Sequence, residues 1–130
     1  MADHPNIILF RRIHEAFTSG DMDALTTLFS ADIVWRTPGQ NPLSADYVGI
    51  GATLDSFERE IGLAGGTYDV QIHSALADDE HIVALLHCTA EREERRLDQN
   101  YIIVFHVQDG VVTEAWEFWS DQAAVDVFWS

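Results

Sequence analysis

The pattern of hydrophobic and polar positions predicts two helices at the start of the chain. Apolar residues recur at helical spacing over residues 7–17, after Pro5, which suits a first helical turn, and before Gly20, which suits a helix end. Asp21 is placed to cap a second, short helix. The buried side of this second helix is predicted to hold Leu25, Leu28 and Phe29.

A third helix is predicted between two irregular segments. Residues 33–35 form a short apolar strand pattern, and a loop rich in Asn, Pro, Ser and Asp then runs to about Tyr47. Four apolar residues follow at helical steps: Ile50, Leu54, Phe57 and Ile61. The charged residues of this helix are expected to face water: Asp55, Glu58, Arg59 and Glu60.

The second half of the chain has the alternation of a strand meander. Residues 67–76 alternate apolar with polar, whereas residues 82–90 and 101–107 are apolar on both faces and therefore predict central strands. A tight turn at residues 108–110 leads into a last strand at 111–119. Ser120 is then expected to cap a short terminal helix that runs to Phe128.

This order of elements predicts the α+β class. Helices followed by a long meander favour a cone-shaped, curved antiparallel sheet wrapped around helices, in one domain that spans residues 1–130. If the central strands are apolar on both faces, the helices cover one face and a second copy of the chain covers the other. We therefore expect a homodimer through the sheet face.

The charge of the chain restricts its partners. There are 22 acidic and 7 basic residues, with a net charge of −15. All the basic residues are arginines. A surface with this much negative charge repels phosphate backbones and anionic lipids. We therefore expect neither nucleic acid nor membrane as a partner. The acidity fits a solvated surface that keeps the protein soluble, or adaptation to a high-salt cytoplasm.

The sequence lacks the patterns of a signal peptide, a metal site and a dinucleotide-binding loop. The N-terminal residues lack the basic start and long apolar run of a signal peptide, and a cytoplasmic location is expected. Cys88 is the single cysteine and is expected to be an inert buried thiol. The histidines lack the spacing of a metal site, and Gly49 and Gly51 lack the third glycine of a dinucleotide-binding loop. We therefore predict no metal and no cofactor.

Several segments together resemble a known family. They are residues 15–21, the helix at 25–29, the strand at 31–35, the turns at 37–39 and 41–43, and the hairpin at 105–116. These segments resemble the SnoaL-like polyketide-cyclase and ketosteroid-isomerase branch of the nuclear transport factor 2-like superfamily. The resemblance implies a cystatin-like α+β roll, and it leaves the reaction open because the fold hosts isomerases, cyclases, epoxide hydrolases and binding modules.

The same resemblance argues against ketosteroid isomerase activity. The position of the isomerase base is Thr37 in this chain, and the acid of the oxyanion hole corresponds to Ile103. Neither residue has a carboxyl group. The paired carboxyls on which that reaction depends are thus missing at the matching places.

Three residues are candidates for proton transfer. His14 lies on the same helical stripe as Phe10 and Phe17, so it is either a hydrogen-bonded core residue or an acid/base group at the pocket floor. Glu117 and Asp121 lie near the end of the last strand, where cyclase-like relatives carry an acid. If Glu117 faces the pocket, burial raises its pKa towards the range for proton transfer. Alternatively it faces solvent or the dimer partner, with Trp116 in the core.

The substrate-binding wall is expected to be aromatic and apolar. The predicted residues are Trp35, Thr37, Asn41, Tyr47, Phe57, Tyr101, Ile103, Phe105 and Trp119. Arg36 and Asn41 are expected at the pocket mouth. Phe128 and Trp129 are expected to cover the pocket or the dimer partner, because exposing them would be costly.

Two functions are compatible with these features. The first is a cofactor-free isomerase, cyclase or hydrolase that acts on a small hydrophobic molecule of the carbonyl type. The second is a non-catalytic, dimeric module that binds a small ligand or serves as an interaction surface. The first function is the leading hypothesis, and the missing isomerase carboxyls count in favour of the second.

Overall fold

The computed structural model describes residues 3–130 and confirms the α+β class. The helices are α1 (Pro5–Ser19), α2 (Met22–Leu28), α3 (Ile50–Leu63) and α4 (Gln122–Trp129). The strands are β1 (Phe29–Thr37), β2 (Ala45–Val48), β3 (Asp69–Ala77), β4 (His81–Arg92), β5 (Arg95–Gln108) and β6 (Val111–Trp119). All the described strands join one sheet.

The sheet is mixed rather than purely antiparallel, which corrects the predicted sheet type. Its strand order is β2-β1-β6-β5-β4-β3, and β1 pairs in parallel with β6 while the other neighbours pair antiparallel. A hairpin forces its two strands to run antiparallel. No hairpin connects β1 to β6, so the local pattern of the sequence did not fix their relative direction.

Helix ends follow the capping residues, with two corrections. The carboxylate of Asp21 accepts a hydrogen bond from the backbone nitrogen of Ala24 at 3.0 Å, as the sequence predicts. Phe29, however, is buried at the start of β1 and does not belong to α2. Asp121, and not Ser120, caps α4, since its Oδ1 accepts from the nitrogen of Ala124 at 3.1 Å.

The strand β2 was not predicted, because its sequence lies in a segment of turn-forming residues. Val48 and Tyr47 pair with Val34 and Trp35 of β1. Three of the four residues of β2 are exposed. A short edge strand of this kind carries little hydrophobic signal, since it buries almost nothing on either face.

A bulge in β6 determines which of its side chains face the helices. The pairing of β6 with β5 shifts by one residue between Val112 and Glu114, so that Thr113 is the extra residue. The Nδ1 of His106 lies 3.0 Å from the Oγ1 of Thr113 at this point. Beyond the bulge, Ala115 and Glu117 are buried on the helix side of the sheet.

The core lies between the helices and the concave face of the sheet. Phe10 of α1 packs against Phe105 with ring centroids 5.8 Å apart, and Phe57 of α3 packs edge-on against Trp35 at 4.8 Å. Cys88 is fully buried, and burial raises the pKa of its thiol to about 12. The opposite face of the sheet carries Ile102, Val104 and the largely exposed Phe118.

None of the four helices within residues 3–130 has the length and apolar character needed to cross a membrane.

Candidate functional site

A small cavity lies between α1, α3 and the concave face of the sheet. Its volume is about 60 Å³. The apolar lining residues are Phe10, Ile13, Phe17, Leu25, Phe29, Trp35, Phe57, Val70, Leu86, Ile103 and Phe105. The polar lining residues are His14, Glu60, Tyr68, Tyr101 and Glu117. The cavity is therefore a mostly aromatic chamber that contains two carboxyl groups and one imidazole.

Glu117 is the best-held polar group of this pocket. Its side chain is 9% exposed, and it faces the helices because of the bulge at Thr113. Its Oε2 accepts hydrogen bonds from the indole nitrogen of Trp35 at 2.7 Å and from the Oγ1 of Thr37 at 3.3 Å. Its Oε1 accepts from the indole nitrogen of Trp119 at 3.1 Å. The position of Glu117 in the pocket was one of two alternatives, and the structure selects it.

Opposing effects act on the protonation of Glu117. Burial raises the pKa of this carboxyl above its ordinary 4.5, and the three hydrogen bonds from Trp35, Trp119 and Thr37 counteract part of that rise. All of these partners are donors, so they suit an ionised carboxylate. Glu117 is thus a buried carboxyl that accepts hydrogen bonds and has no positive partner among the side chains bonded to it.

Glu60 of α3 is the second carboxyl of the pocket, and it lines the cavity instead of facing water as predicted. Burial first, and the charge of Glu117 second, raise the pKa of Glu60 from 4.5 to about 8, while the Tyr68 hydroxyl opposes the rise. Two carboxyls that share one apolar site cannot both ionise cheaply. The pair therefore holds a proton near neutral pH.

The error over Glu60 came from the choice of helical stripe. The apolar residues Ile50, Leu54 and Ile61 are only partly buried. The buried positions of α3 are Thr53 and Phe57, and Ala64 just beyond the helix end is buried too. Glu60 lies on this stripe, three residues after Phe57 and four before Ala64. The helical spacing of Thr53, Phe57 and Ala64 does indicate this buried face. Two of these three residues are a threonine and an alanine, which give a weaker hydrophobic pattern than larger apolar residues.

His14 lines the pocket, as its position on the stripe of α1 predicts. Its Nε2 is 2.7 Å from the backbone oxygen of Val70. Because a carbonyl oxygen can only accept, Nε2 is the protonated ring nitrogen and donates a hydrogen bond to it. That bond ties α1 to β3 and fixes the ring at the pocket wall. His14 is thereby an oriented imidazole whose other nitrogen is not used by the contact with Val70.

The two positions that lack the isomerase carboxyls surround Glu117. Thr37 donates its hydroxyl to Glu117, and Ile103 lies directly opposite Glu117 in the pairing of β5 with β6. Ile103 also lines the cavity. A carboxyl is therefore present in this region of the sheet, but it is supplied by β6.

Several other predicted residues lie at the pocket or beside it. Trp35, Phe57, Tyr101, Ile103 and Phe105 line the cavity. Thr37 and Tyr47 line a smaller neighbouring cavity that shares Trp35, Phe57 and Glu60 with the main one. Trp119 stacks on Tyr101, with ring centroids 4.0 Å apart, and reaches Glu117 only through its indole nitrogen.

Three residues that were expected at the site lie away from it. The carboxylate of Asp121 caps α4 and does not line the cavity, because the chain leaves β6 at Trp119. The amide nitrogen of Asn41 donates to Asp126 at 2.8 Å and stabilises a loop. Arg36 points to the opposite face of the sheet, where it pairs with Glu114 at 2.8 Å, since neighbouring strand residues face opposite sides.

The C-terminal aromatic residues pack behind the pocket wall. Phe128 and Trp129 are buried, and Trp129 lies 6.2 Å from the ring of Tyr68, measured between centroids. Tyr68 itself lines the cavity. The last turn of α4 therefore supports one wall of the pocket from outside and does not enter it.

Within residues 3–130, no three His, Cys, Asp or Glu side chains are grouped as a metal site would require.

The fold, with this cavity between its helices and its sheet, defines a class of protein. A family model described as the SnoaL-like domain matches residues 10–115, and the chain belongs to this family. An uncharacterised protein of Mycobacterium tuberculosis is 30% identical over 131 residues, which cover 100% of both chains.

Solved structures confirm the fold of the superfamily. Bal32a, from a soil-derived mobile gene cassette, is 36% identical with a TM-score of 0.93, and the match covers 97% of each chain. A nuclear transport factor 2-like protein of Burkholderia xenovorans has a TM-score of 0.84 at 19% identity, with 100% of this chain and 99% of that one covered. The predicted family and fold are thereby confirmed.

Proposed function

We propose that this chain is a cofactor-independent acid/base enzyme that acts on a small, mostly apolar molecule. The observation that carries the proposal is the burial of Glu117 in an aromatic chamber beside a second carboxyl, Glu60. Perturbed carboxyls that share an apolar cavity are the arrangement that proton-transfer catalysis uses. The cavity of about 60 Å³ is far below the roughly 300–1,000 Å³ of drug-sized ligand pockets, so the molecule is small.

The two carboxyls have different roles in this proposal. Glu117 accepts three hydrogen bonds, which favour its ionised form, so it serves as the base that removes a proton from a carbon next to a carbonyl group. Glu60 retains its proton near neutral pH and serves as the acid towards the developing oxyanion. His14 is held by Val70 and orients the substrate at the opposite wall.

Hydrogen exchange on a small ketone tests the role of Glu117. The protein is incubated with butanone in D₂O, and deuterium at the carbons next to the carbonyl is followed by NMR. We expect wild-type exchange to exceed that of Glu117→Gln by about 100-fold or more. Glu114→Gln is the matched control, because Glu114 lies on the same strand but faces the other side and bonds Arg36. Equal exchange rates in wild type and Glu117→Gln would refute the role of Glu117 as a base.

The non-catalytic alternative has one observation in its favour. Glu117 is bonded by three donors, and such a carboxylate can serve to join β1 to β6 and shape a binding pocket without moving a proton. Under this alternative, wild-type protein catalyses no deuterium exchange, and Glu117→Gln changes folding stability alone.

We also propose that the chain forms a homodimer through the outer face of the sheet. A concave groove of about 720 Å³ lies there, and its apolar lining includes Ile72, Leu85, Ile102 and Phe118. Phe118 is 55% exposed in the single chain. The neighbouring central strand β5 also presents apolar residues on this face. A second copy is the occupant that supplies a matching apolar surface on an otherwise strongly acidic protein.

Sedimentation equilibrium tests the dimer. We expect wild type to sediment as a dimer and Phe118→Asp as a monomer. The control is Val127→Asp on α4, where Val127 is 62% exposed but lies outside the groove. A wild-type monomer, or an intact dimer of Phe118→Asp, would contradict this interface.

A further inference from the structure

The pocket contains negative charge and no arginine or lysine. Among the lining residues within the described chain, Glu60 and Glu117 are the acids, and His14 is the single side chain able to carry a positive charge. The partners bonded to Glu117 are two indole nitrogens and a hydroxyl, all of them neutral. Buried charges in proteins are usually paired with an opposite charge. Here the protein supplies neutral donors in its place.

Two arginines that adjoin pocket residues in the sequence point away from the cavity. Arg36, between Trp35 and Thr37, pairs with Glu114 and lies over the ring of Trp116, 4.9 Å from its centroid. Arg59, next to Glu60, donates to the backbone oxygen of Pro42 at 3.1 Å and is exposed. Alternation along β1 thus directs Arg36 away from the pocket. On α3, the helical turn directs Arg59 outwards while the carboxyl of Glu60, the next residue, lines the pocket.

The aromatic walls of the pocket also suit a cation. Trp35 and Phe57 are packed edge-on with centroids 4.8 Å apart, and Phe17 packs edge-on against both Phe57 and Tyr68. All four line the cavity. Aromatic rings attract ammonium groups, most strongly where water is excluded. The net charge of −15 also raises the concentration of small cations at the surface and repels anions.

We propose that the molecule bound in this pocket carries a positively charged nitrogen with small alkyl substituents, which supplies the counter-charge for the Glu60 and Glu117 pair. This inference rests on the proposed function, because it names the class of molecule that the same site takes. The cationic nitrogen lies against the carboxyls, and the alkyl groups contact Trp35 and Phe57. The cavity of about 60 Å³ restricts the charged group to a few carbon atoms, since even benzene occupies an engineered cavity of about 150 Å³. Carboxylate-bearing molecules are excluded.

Three probes of similar shape and different charge test the inference. Methylammonium is the cation, methanol the neutral molecule and formate the anion, and all three are small enough for a cavity of about 60 Å³. Binding is followed through the indole N–H signal of Trp35 in a ¹H–¹⁵N NMR spectrum, at constant ionic strength so that general attraction to the acidic surface stays the same. We expect a saturable shift with methylammonium, binding at least about tenfold weaker with methanol, and no shift with formate.

Charge-removing variants show whether the carboxyls hold the cation. At pH 9, above the pKa of about 8 of Glu60, both carboxyls are largely ionised, and we expect Glu117→Gln and Glu60→Gln each to weaken methylammonium binding about tenfold or more. Glu58→Gln, on the exposed side of the same helix as Glu60, is expected to leave it unchanged. Circular dichroism verifies that each variant is folded, and Glu60→Gln decides the matter if Glu117→Gln does not fold.

Three results would overturn the inference: no saturable shift with methylammonium, equal or tighter binding of methanol, or methylammonium binding that both carboxyl variants retain at pH 9. The last result would assign recognition to the aromatic walls alone. Each leaves the acid/base proposal standing, because that proposal depends on the butanone exchange. Conversely, methylammonium binding without butanone exchange would support a cation-binding module and refute the catalytic role.

Discussion

The indole nitrogen of Trp35 donates a hydrogen bond to the Oε2 of Glu117 at 2.7 Å, and this bond crosses between the parallel strands β1 and β6. It sets the position of the carboxyl in the pocket. Trp35 also packs against Phe57 and Phe105, so the same side chain forms the aromatic wall and holds the acid. The pocket and the core of this protein are therefore built from shared residues.

Replacing Trp35 by Phe should weaken folding in a pH-dependent manner. The variant removes a buried donor to Glu117 and raises the pKa of that carboxyl, because a hydrogen bond that favours its ionised form is lost. We expect a loss in the free energy of unfolding of about 1–3 kcal/mol at pH 8. Urea denaturation followed by circular dichroism measures the loss.

The pH dependence separates this bond from simple loss of packing. The cost of a smaller side chain is the same at all pH values, whereas the cost of the lost donor shrinks as Glu117 is protonated. We therefore expect a smaller loss at pH 4 than at pH 8. Equal losses at both pH values would contradict a role of Trp35 in stabilising a carboxylate.

Glu60→Gln should remove a pH dependence of stability. The pKa of Glu60 is 4.5 when unperturbed and about 8 in the fold, so between these values the folded state holds a proton that the unfolded state has lost. The wild type should therefore lose stability as pH rises from about 5 to about 8, by up to about 1.4 kcal/mol per unit from this group. Gln is neutral in both states, and Glu60→Gln should lack this contribution.

Urea denaturation of both proteins at several pH values measures the difference. Glu58→Gln provides the comparison, since Glu58 is exposed on the same helix. If the wild type and Glu60→Gln change in parallel over this range, Glu60 does not retain its proton in the folded state.

Arg92→Ala should loosen the C-terminal helix behind the pocket. One nitrogen of Arg92 donates to the backbone oxygens of Phe128 and Ser130, at 3.2 and 3.1 Å, and its side chain is 13% exposed. Loss of these bonds should lower the free energy of unfolding by about 1–3 kcal/mol. Limited proteolysis should then cleave near Trp129 sooner. Arg96→Ala is the control, as Arg96 is 66% exposed and should behave as wild type.

The sequence predicted the helices and the central strands because each has a strong local pattern. The run at 82–90 is apolar on both faces and forms β4, and Asp21 caps α2 as its position indicates. The edge strand β2 and the parallel pairing of β1 with β6 have no such signal, since one is short and exposed and the other joins distant segments.

The candidate site was predicted in part. His14 and Glu117 lie at the same cavity, and the facing of Glu117 depended on a bulge at Thr113 that alternation alone does not reveal. Asp121 lies away from the cavity, because β6 ends two residues earlier. Glu60 was missed because its stripe on α3 contains Thr53 and Ala64 where larger apolar residues were sought.

Glu60 and Glu117 are expected to hold one proton between them in an apolar chamber near neutral pH. The most direct measurement is a titration of the side-chain carboxyl carbons of Glu60 and Glu117 by ¹³C NMR, with assignments from the two Glu→Gln variants. We predict that the Glu60 signal titrates at about 8 and that Glu117 titrates above 4.5, and that the pKa of Glu60 falls in Glu117→Gln because the neighbouring charge is removed. Two independent titrations near 4.5 would contradict the claim.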